Sequence, residues 1–314
     1  MRRLDQIVKP VGVPRDEGFL DRGLHRIHWT DTGNIKGIPV IYSHGGPGAG
    51  QGPHYRKMFD LEKYRVIQMS QRGAGLSTPK SELRENDWSY TLGDMEALRE
   101  HLGIDKWLVA GGSWGSTISI LYGEHYPENC LGILLICMWL ARPEDVDFWF
   151  QGATHIFPEC YDDLIADLTP EEQKDIPTSL GKRVFGKDKE ISKKAAQKYG
   201  EYHYALMTFE ALIDELDFSN AEDVAPIFFH YLTNQFFVKP NQLLRDSYKL
   251  KNIPIKVVQG RYDICTTVKI AYDFKKALPH VDLRVIDGAG HILMERGLLH
   301  GVINASNDFY ELLK

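Results

Sequence analysis

Three residues follow apolar segments and have the types and chain order of a hydrolytic Ser–Asp–His triad. Ser113 lies in Gly-Gly-Ser-Trp-Gly at positions 111–115, which fits the pattern G-x-S-x-G, and Asp263 and His291 each follow a later apolar run. A serine hydroxyl becomes an effective nucleophile only when a base takes its proton and a third group holds that base. We therefore predict Ser113 as the nucleophile, His291 as general base and then general acid, and Asp263 as the group that orients the imidazole.

The segments around Ser113 predict a sharp strand-to-helix turn. Residues 107–110 are apolar and favour a buried strand, and residues 116–124 have apolar positions spaced as in a helix packed on a sheet. Such a turn holds the serine in a strained backbone conformation, and side chains at Gly111 and Gly115 would collide with the neighbouring strand and helix. It also puts the hydroxyl at a helix N-terminus, where partial positive charge favours a developing anion.

A tetrahedral intermediate needs hydrogen-bond donors directed at its oxyanion. One predicted donor is the backbone N–H of Trp114, directly after the nucleophile. The other is expected from His-Gly-Gly-Pro-Gly at 44–48, which follows an early apolar run, with Gly46 as the first choice and Gly45 as the second. The alternative interpretation of this stretch is a simple turn.

Each member of the proposed triad has a less specific interpretation. Asp263 alone could be a turn residue and His291 alone a loop histidine, but their shared chain order favours catalysis. His44 and His125 lack this placement. No glycine-rich sequence lies in a phosphate-binding context, and no cluster has metal-ligand spacing, so neither a cofactor nor a metal is predicted.

Alternating strand and helix patterns predict an α/β fold with a mainly parallel sheet covered on both faces. Between residues 142 and 250 no buried strand is evident, and this aromatic-rich stretch is interpreted as a helical insertion. The predicted strands comprise residues 19–22, 24–30, 38–43, 64–69, 107–110, 131–141, 255–259 and 281–286. The predicted helices comprise residues 91–102, 116–124, 143–150, 160–168, 192–214, 223–237, 271–278 and 304–313.

Composition excludes several classes of function. The chain has 314 residues, 43% of them hydrophobic, and a formal net charge of −6, so nothing indicates a nucleic-acid partner. The N-terminus lacks the apolar core of a signal peptide, and the longest apolar run, residues 131–141, is too short to span a bilayer. The four cysteines have no paired or metal-type spacing. We therefore expect a cytoplasmic protein with reduced thiols and no membrane association.

Together these motifs resemble the proline iminopeptidases of the α/β-hydrolase fold, over about residues 18–309. The matching motifs are His-Gly-Gly-Pro-Gly at 44–48, Gln-Arg-Gly-Ala-Gly-Leu-Ser at 71–77, Gly-Gly-Ser-Trp-Gly-Ser-Thr at 111–117, Gly-Arg-Tyr-Asp at 260–263 and Gly-Ala-Gly-His at 288–291. The resemblance implies a catalytic domain formed by residues 1–141 and 251–314, and a helical cap of residues 142–250 inserted after the sixth strand. It also implies removal of N-terminal proline from short peptides without a cofactor.

An aminopeptidase must recognise a free amino end, for which a buried carboxylate is the natural partner. The resemblance implies this role for Glu210 in Phe209-Glu210, although a solvated helix residue is the alternative. Phe228, in the stretch that ends with Tyr231, stands where a second family glutamate is expected. Residues Phe209, Phe228 and Tyr231 are therefore candidates for substrate binding with Glu210. Whether His230 or Glu215 replaces the missing carboxylate is left open.

Further cap aromatics are candidates for a proline-ring pocket or, alternatively, ordinary core: Phe148, Trp149 and Tyr204. Two other positions depart from the family pattern, with Ser70 in place of an aspartate before Gln-Arg-Gly and Ile292 in place of the usual serine after His291.

The interpretation that we adopt is a serine aminopeptidase acting on short peptides through an acyl-enzyme at Ser113. The first alternative is an esterase or amidase on the same scaffold with a more apolar pocket, which Phe228 favours. A binding protein that has lost its chemistry is disfavoured by the intact triad residues. Haloalkane dehalogenase or epoxide hydrolase chemistry would require an aspartate at position 113.

Overall fold

The fold is an eight-stranded sheet of order β1-β2-β4-β3-β5-β6-β7-β8. The computed structural model describes residues 11–208 and 220–314. The β1–β2 and β2–β4 pairs are antiparallel, and every pair from β4 to β8 is parallel. The strands are β1 (Asp16–Arg22), β2 (His25–Gly33), β3 (Ile38–Ser43), β4 (Tyr64–Met69), β5 (Trp107–Ser113), β6 (Cys130–Met138), β7 (Ile255–Gly260) and β8 (Asp282–Ile286).

Helices cover the sheet and also fill the connection between β6 and β7. The helices are α1 (Trp88–His101), α2 (Trp114–His125), α3 (Pro143–Asp147), α4 (Pro158–Ile165), α5 (Ile176–Val184), α6 (Lys189–Met207), α7 (Ala221–Thr233), α8 (Gln242–Asp246), α9 (Val268–Ala277) and α10 (Arg296–Leu313). Because α3 to α8 all lie between β6 and β7, the predicted fold class, with helices inserted after the sixth strand, is confirmed.

Successive residues of the central strands point to opposite faces of the sheet, and each face has its own core. Ile41 and Val109 belong to the core that includes α1, α2 and the inserted helices, whereas Val40 and Leu108 belong to the core that includes α10. All four side chains are fully buried. Burial on both faces explains why these strands appear in the sequence as continuous apolar runs rather than alternating ones.

Several predicted helix boundaries are wrong. Helix α5 was not predicted, and α10 begins at residue 296 rather than 304. Glycine is a weak helix former, so Gly297 and Gly301 favour a later start in the sequence pattern. In the structure a Cβ at either position would approach the Ile286 side chain to less than 3 Å, so these glycines let α10 pack closely on β8. The predicted 192–214 helix ends at Met207, and its last residues lie outside the described chain.

No helix in the described ranges has the length and apolarity needed to cross a bilayer. All four cysteines lie in the described chain and are free thiols, with Cys160 half-buried and the others buried.

Glu124, near the end of α2, is a buried carboxyl group. Its residue is 5% exposed, and neither side-chain oxygen has a hydrogen-bond partner among the described residues. Burial, reinforced by nearby Asp246, raises the pKa of Glu124 to about 8, although Lys249 and Arg245 oppose the shift. The folded protein therefore holds this group as a neutral acid at neutral pH.

Because the pKa of Glu124 is raised on folding, unfolding releases a proton between the unfolded pKa near 4.5 and the folded pKa of about 8. The contribution of Glu124 to the free energy of unfolding should therefore fall as pH rises through this window, and stay level above it. Glu124→Gln should raise the free energy of unfolding at pH 8 by on the order of 2 kcal/mol and have little effect at pH 4.5. Denaturant unfolding at several pH values measures this.

The matched control is Glu128→Gln, since Glu128 is exposed in the turn just after α2. This change should leave the free energy of unfolding nearly unaltered at every pH. Equal pH dependence in the wild type and Glu124→Gln would contradict the assignment of a neutral buried acid.

Candidate active site

The proposed catalytic residues lie at one edge of the sheet. Ser113 ends β5, Asp263 follows β7, His291 follows β8, and the glycine-rich loop 44–48 follows β3. These four strands are parallel, so their carboxyl ends meet at the same edge, which is where open α/β sheets form their sites.

The turn at Ser113 is strained and depends on two glycines. Ser113 has φ 55° and ψ −126°, a conformation that side-chain-bearing residues rarely adopt. A Cβ at Gly111 would lie 2.1 Å from the Gly115 carbonyl oxygen, and a Cβ at Gly115 would lie 2.0 Å from the Ser43 carbonyl oxygen. The predicted collisions with the neighbouring helix and strand are confirmed, and both positions require glycine.

Asp263 and His291 form a buried pair. His291 Nδ1 lies 2.8 Å from Asp263 Oδ2, and His291 and Asp263 are 9% and 2% exposed, respectively. Since the ionised carboxylate can only accept, Nδ1 carries the proton and Nε2 of a neutral ring carries the lone pair. This tautomer is the one a general base at Nε2 requires.

Two residues that sequence reasoning missed hold the Asp263 carboxylate. The Thr266 backbone N–H donates to Oδ1 at 2.7 Å, and the Thr266 hydroxyl lies 2.8 Å from Oδ2. Gln259 Nε2 donates to Oδ2 at 3.0 Å, while its Oε1 accepts from the Met138 backbone N–H. The three-residue spacing from Asp263 to Thr266 was the available sequence signal, because aspartate side chains often accept from nearby backbone N–H groups.

Ser113 and His291 line the same cavity. No hydrogen bond joins their side chains among the described contacts. In many hydrolases this bond forms only in the substrate complex, so the observed arrangement is compatible with proton transfer.

The loop after β3 lies against the nucleophile. A Cβ at Gly45 would be 3.2 Å from Ser113 Cβ and 3.7 Å from Ser113 Oγ, so a side chain there would crowd the nucleophile. Gly46 has φ 110°, a conformation that favours glycine, and both glycines line the cavity. Trp114 is the first residue of α2, where backbone N–H groups have no intrahelical acceptor.

The cavity has a volume of about 400 Å³ and an apolar, aromatic lining. Phe228 lines it and is 1% exposed, with its ring 4.6 Å from that of Tyr199 and 5.6 Å from that of His203. Among the described lining residues none is Asp, Glu, Lys or Arg. Burial lowers the pKa of His203 to about 3, so this imidazole contributes a neutral polar group at pH 7.

Two candidate binding residues point elsewhere. Tyr231 is buried but is absent from the cavity lining; its ring packs 5.0 Å from that of Trp114, and its hydroxyl lies 3.3 Å from Asn86 Oδ1. His230 Nε2 is bonded to the Asn86 carbonyl oxygen at 2.9 Å, so His230 does not supply the cavity with a replacement for the missing carboxylate.

The other cap candidates divide between the cavity and the core. Tyr204 lines the cavity, whereas Trp149 is buried behind it, with its ring 6.2 Å from that of Phe228, and Phe148 is partly buried against the core. The predicted substrate-binding residues Glu210 and Phe209, and the alternative Glu215, lie outside the described residues.

A third ligand-type side chain lies beside the His–Asp pair. Atoms of Cys137, Asp263 and His291 that could bind a metal are within 4.8 Å of one another, a grouping that chain spacing did not indicate. Burial raises the pKa of the Cys137 thiol well above its ordinary value, and nearby Asp263 adds to the shift. A metal would need the thiolate and would compete with the existing His–Asp hydrogen bond, so the arrangement fits proton transfer better than metal binding.

The loop that carries His291 is also fixed through its backbone. The His291 N–H donates to the carbonyl oxygen of Met207, the last residue of α6, at 3.0 Å. The Gly290 N–H donates to the Glu295 carboxylate. The proposed base is therefore attached both to its own loop and to the inserted helices.

A mainly parallel sheet with a strained serine turn and a His–Asp pair at its carboxyl edge defines a hydrolase scaffold, and residues 38–298 match the family described as alpha/beta hydrolase fold. The chain is 39% identical over 309 residues to a probable proline iminopeptidase from Leptolyngbya boryana, covering 96% of each chain. It is 35% identical to a proline iminopeptidase from Arabidopsis thaliana, over 92% of this chain and 78% of the relative.

A solved structure of a proline iminopeptidase-related protein from Thermus thermophilus has a TM-score of 0.61 to this fold, with 18% identity, and the match covers 95% of this chain and 96% of that one. That likeness concerns the fold alone. On sequence identity over nearly its full length, the chain belongs to the proline iminopeptidase family of α/β hydrolases.

Gly115→Ala should disrupt the turn, because the added Cβ would lie 2.0 Å from the Ser43 carbonyl oxygen and both backbones are held by the sheet and by α2. We expect a loss of at least about 3 kcal/mol in the free energy of unfolding, or failure to fold. Thermal unfolding of the purified variant measures the change.

Gly93→Ala is the matched control. Gly93 lies within α1, and its nearest contact for a Cβ is an Arg22 side-chain atom at 3.7 Å. An added methyl group there should stabilise the helix by about 0.4–1 kcal/mol. A Gly115→Ala protein as stable as the wild type would refute the close approach described above.

Proposed function

We propose that this protein is a serine aminopeptidase that releases N-terminal proline, or a similar residue, from short peptides. The observation that carries the proposal is the buried pair of Asp263 and His291, with 2.8 Å between Oδ2 and Nδ1, at the same sheet edge as the strained Ser113. The names of the full-length relatives, proline iminopeptidase or probable proline iminopeptidase, supply the substrate class.

In the proposed reaction Ser113 Oγ attacks the carbonyl carbon of the first peptide bond while His291 Nε2 takes the hydroxyl proton. The negative charge that develops on the carbonyl oxygen is bound by the N–H of Trp114 and by Gly46 or Gly45. Collapse of this intermediate breaks the C–N bond, and His291 returns its proton to the leaving amine. An acyl-enzyme and the shortened peptide result.

Deacylation repeats these steps with water as the nucleophile. His291 accepts a proton from the water as it attacks the ester carbonyl, and the second tetrahedral intermediate expels Ser113 Oγ, which recovers the proton. Asp263 stays ionised and stabilises the imidazolium in both halves. Thr266 and Gln259 support this role, since each donates a hydrogen bond to the carboxylate.

Recognition of the amino end requires a partner for a cation. The described cavity lining lacks a carboxylate, and Phe228 occupies the position of one expected family glutamate. We therefore assign amine binding to Glu210, by the resemblance at Phe209-Glu210. Loss of one of two carboxylates should weaken the hold on a substrate ammonium by about 1–3 kcal/mol.

A second candidate function is an esterase or amidase without a strict proline requirement. The specific observation in its favour is the aromatic lining around Phe228, which suits an uncharged acyl group better than an ammonium. Both candidates use the same nucleophile and differ only in what the cavity admits.

The two candidates are separated by three substrates: proline β-naphthylamide, N-acetylproline β-naphthylamide and p-nitrophenyl butyrate. We expect the free-amine substrate to have a kcat/KM at least about tenfold above that of the blocked one, because acetylation removes the charge that a carboxylate recognises. Glu210→Gln should reduce this ratio without abolishing ester hydrolysis.

Ser113→Ala is the control for the chemistry and should lower kcat by about 10⁴-fold or more on every substrate. Equal turnover of free and acetylated proline amides, with no effect of Glu210→Gln, would favour the esterase or amidase. Full activity of Ser113→Ala would exclude both candidates.

A further inference from the structure

We propose that Gln71 is a positioning residue that holds both halves of the oxyanion hole at a fixed separation. The inference rests on the proposed function, since it assumes that Trp114 and Gly45 or Gly46 stabilise an oxyanion. It adds a residue that lies outside the triad, outside the oxyanion donors and outside the cavity lining. Gln71 follows β4, so a further strand contributes to the site.

The side chain of Gln71 bridges the two parts of the site that carry the proposed donors. Its Oε1 accepts from the Trp114 indole Nε1 at 3.0 Å, and its Nε2 donates to the His44 carbonyl oxygen at 2.9 Å. The indole N–H can only donate and the carbonyl can only accept, so the orientation of the amide is unambiguous. All three residues are at most 4% exposed, so water does not compete for these bonds.

The bond to His44 O fixes the direction of the next N–H. The His44 carbonyl and the Gly45 N–H belong to one planar peptide unit and point in opposite directions. The Gln71 amide binds the His44 carbonyl oxygen and so keeps the Gly45 N–H directed to the opposite side. Residue 45 itself lies against the nucleophile, since a Cβ there would be 3.2 Å from Ser113 Cβ. Polarisation of the carbonyl also strengthens the N–H as a donor.

The imidazole of His44 also orients the peptide unit between Gly45 and Gly46. His44 Nε2 accepts from the Gln71 backbone N–H at 3.0 Å. Burial lowers the pKa of His44 to about 4, so the ring is neutral at pH 7 and its single proton is on Nδ1. Nδ1 lies 2.8 Å from the Gly45 carbonyl oxygen and donates to it. That carbonyl shares a peptide unit with the Gly46 N–H, the other candidate donor.

This tautomer is the better of the two possible ones. The Gly50 N–H also lies 3.2 Å from Nδ1, and it would be satisfied if Nδ1 carried the lone pair. The proton would then be on Nε2 and face the Gln71 N–H at 3.0 Å, which brings two donors together. Gln71 thus sets the protonation of His44 as well as the position of its carbonyl.

Gln71 is itself held by a buried ion pair. The adjacent Arg72 forms two hydrogen bonds to the Asp94 carboxylate, at 2.7 and 2.9 Å, and both side chains are at most 3% exposed. Arg22 donates to the same carboxylate at 2.8 Å. This bidentate contact fixes the loop after β4 against α1, and hence the residue that bridges His44 and Trp114.

The test is Gln71→Met, which keeps the length of the side chain and removes both hydrogen bonds. Hydrolysis of p-nitrophenyl acetate, an uncharged ester, avoids any dependence on amine recognition. We expect kcat to fall about 10- to 100-fold while KM changes less than about threefold, because misdirected donors weaken transition-state binding only. Affinity for phenylboronic acid, which forms a tetrahedral adduct on the serine, should fall by a similar factor.

Gln71→Glu separates the two bonds, since a carboxylate can still accept from the Trp114 indole but cannot donate to His44 O. It should be at least as impaired in kcat as Gln71→Met. The matched control is Gln68→Met, which removes a glutamine of β4 that is 2% exposed and bonded to Arg56, Gln51 and Gly52. This control should lower the melting temperature but leave kcat within about twofold of the wild type.

An unchanged kcat and boronate affinity in Gln71→Met, or losses no larger than those of Gln68→Met, would overturn the inference while leaving the proposed function intact. If the wild type hydrolyses neither the ester nor proline β-naphthylamide, the proposed function fails and the inference falls with it. If the wild type hydrolyses only the ester, the proline specificity fails and the Gln71 comparison still decides the inference.

Discussion

The close approach of α2 to the carboxyl end of β3 is the constraint on which the candidate site depends. A methyl group at Gly115 would lie 2.0 Å from the Ser43 carbonyl oxygen, so helix and strand are in backbone contact. This contact puts the nucleophile and the N-terminal end of α2 beside the loop at 44–48. The strained backbone at Ser113 persists because the surrounding sheet and helix determine it.

Burial sets the charge of two histidines in and near the site. Burial lowers the pKa of His44 to about 4 and that of His203 to about 3, so both rings are neutral at pH 7. His44 then serves as a directed donor and acceptor, and His203 as a neutral part of an aromatic cavity wall. Because His203 is uncharged, it adds no repulsion when the neighbouring His291 takes up a proton.

Much of the fold could be predicted because local signals agreed with the final structure. The central strands are continuous apolar runs because they are buried on both faces of the sheet, and such runs can be recognised in the sequence. The glycines around Ser113 can also be recognised, because a Cβ at Gly111 or Gly115 would collide with neighbouring backbone. The orientation of Tyr231 and His230 could not be predicted in this way. Both lie on α7 within a few residues of Phe228, and only the packing of that helix decides which side chains face the cavity.

The groups that support the catalytic residues were not identified from the sequence. Gln71 acts through contacts to His44 and Trp114, which follow other strands, and a glutamine after a strand has many possible partners. Thr266 and Gln259 are only three and four residues from Asp263, but the folded loop is what directs both side chains to its carboxylate. The start of α10 was misjudged for a related reason. Gly297 and Gly301 weaken the local helix preference, and the space that they leave for Ile286 becomes evident only in three dimensions.

The hydrogen bond from the His291 backbone to the carbonyl oxygen of Met207 has a mechanical consequence. Met207 is the last residue of α6, a helix of 19 residues, so the end of this helix is bonded directly to the backbone of the proposed base. Any displacement of the end of α6 must either break this hydrogen bond or move the His291 backbone with it. The position of the proposed base is thereby coupled to the position of the inserted helix.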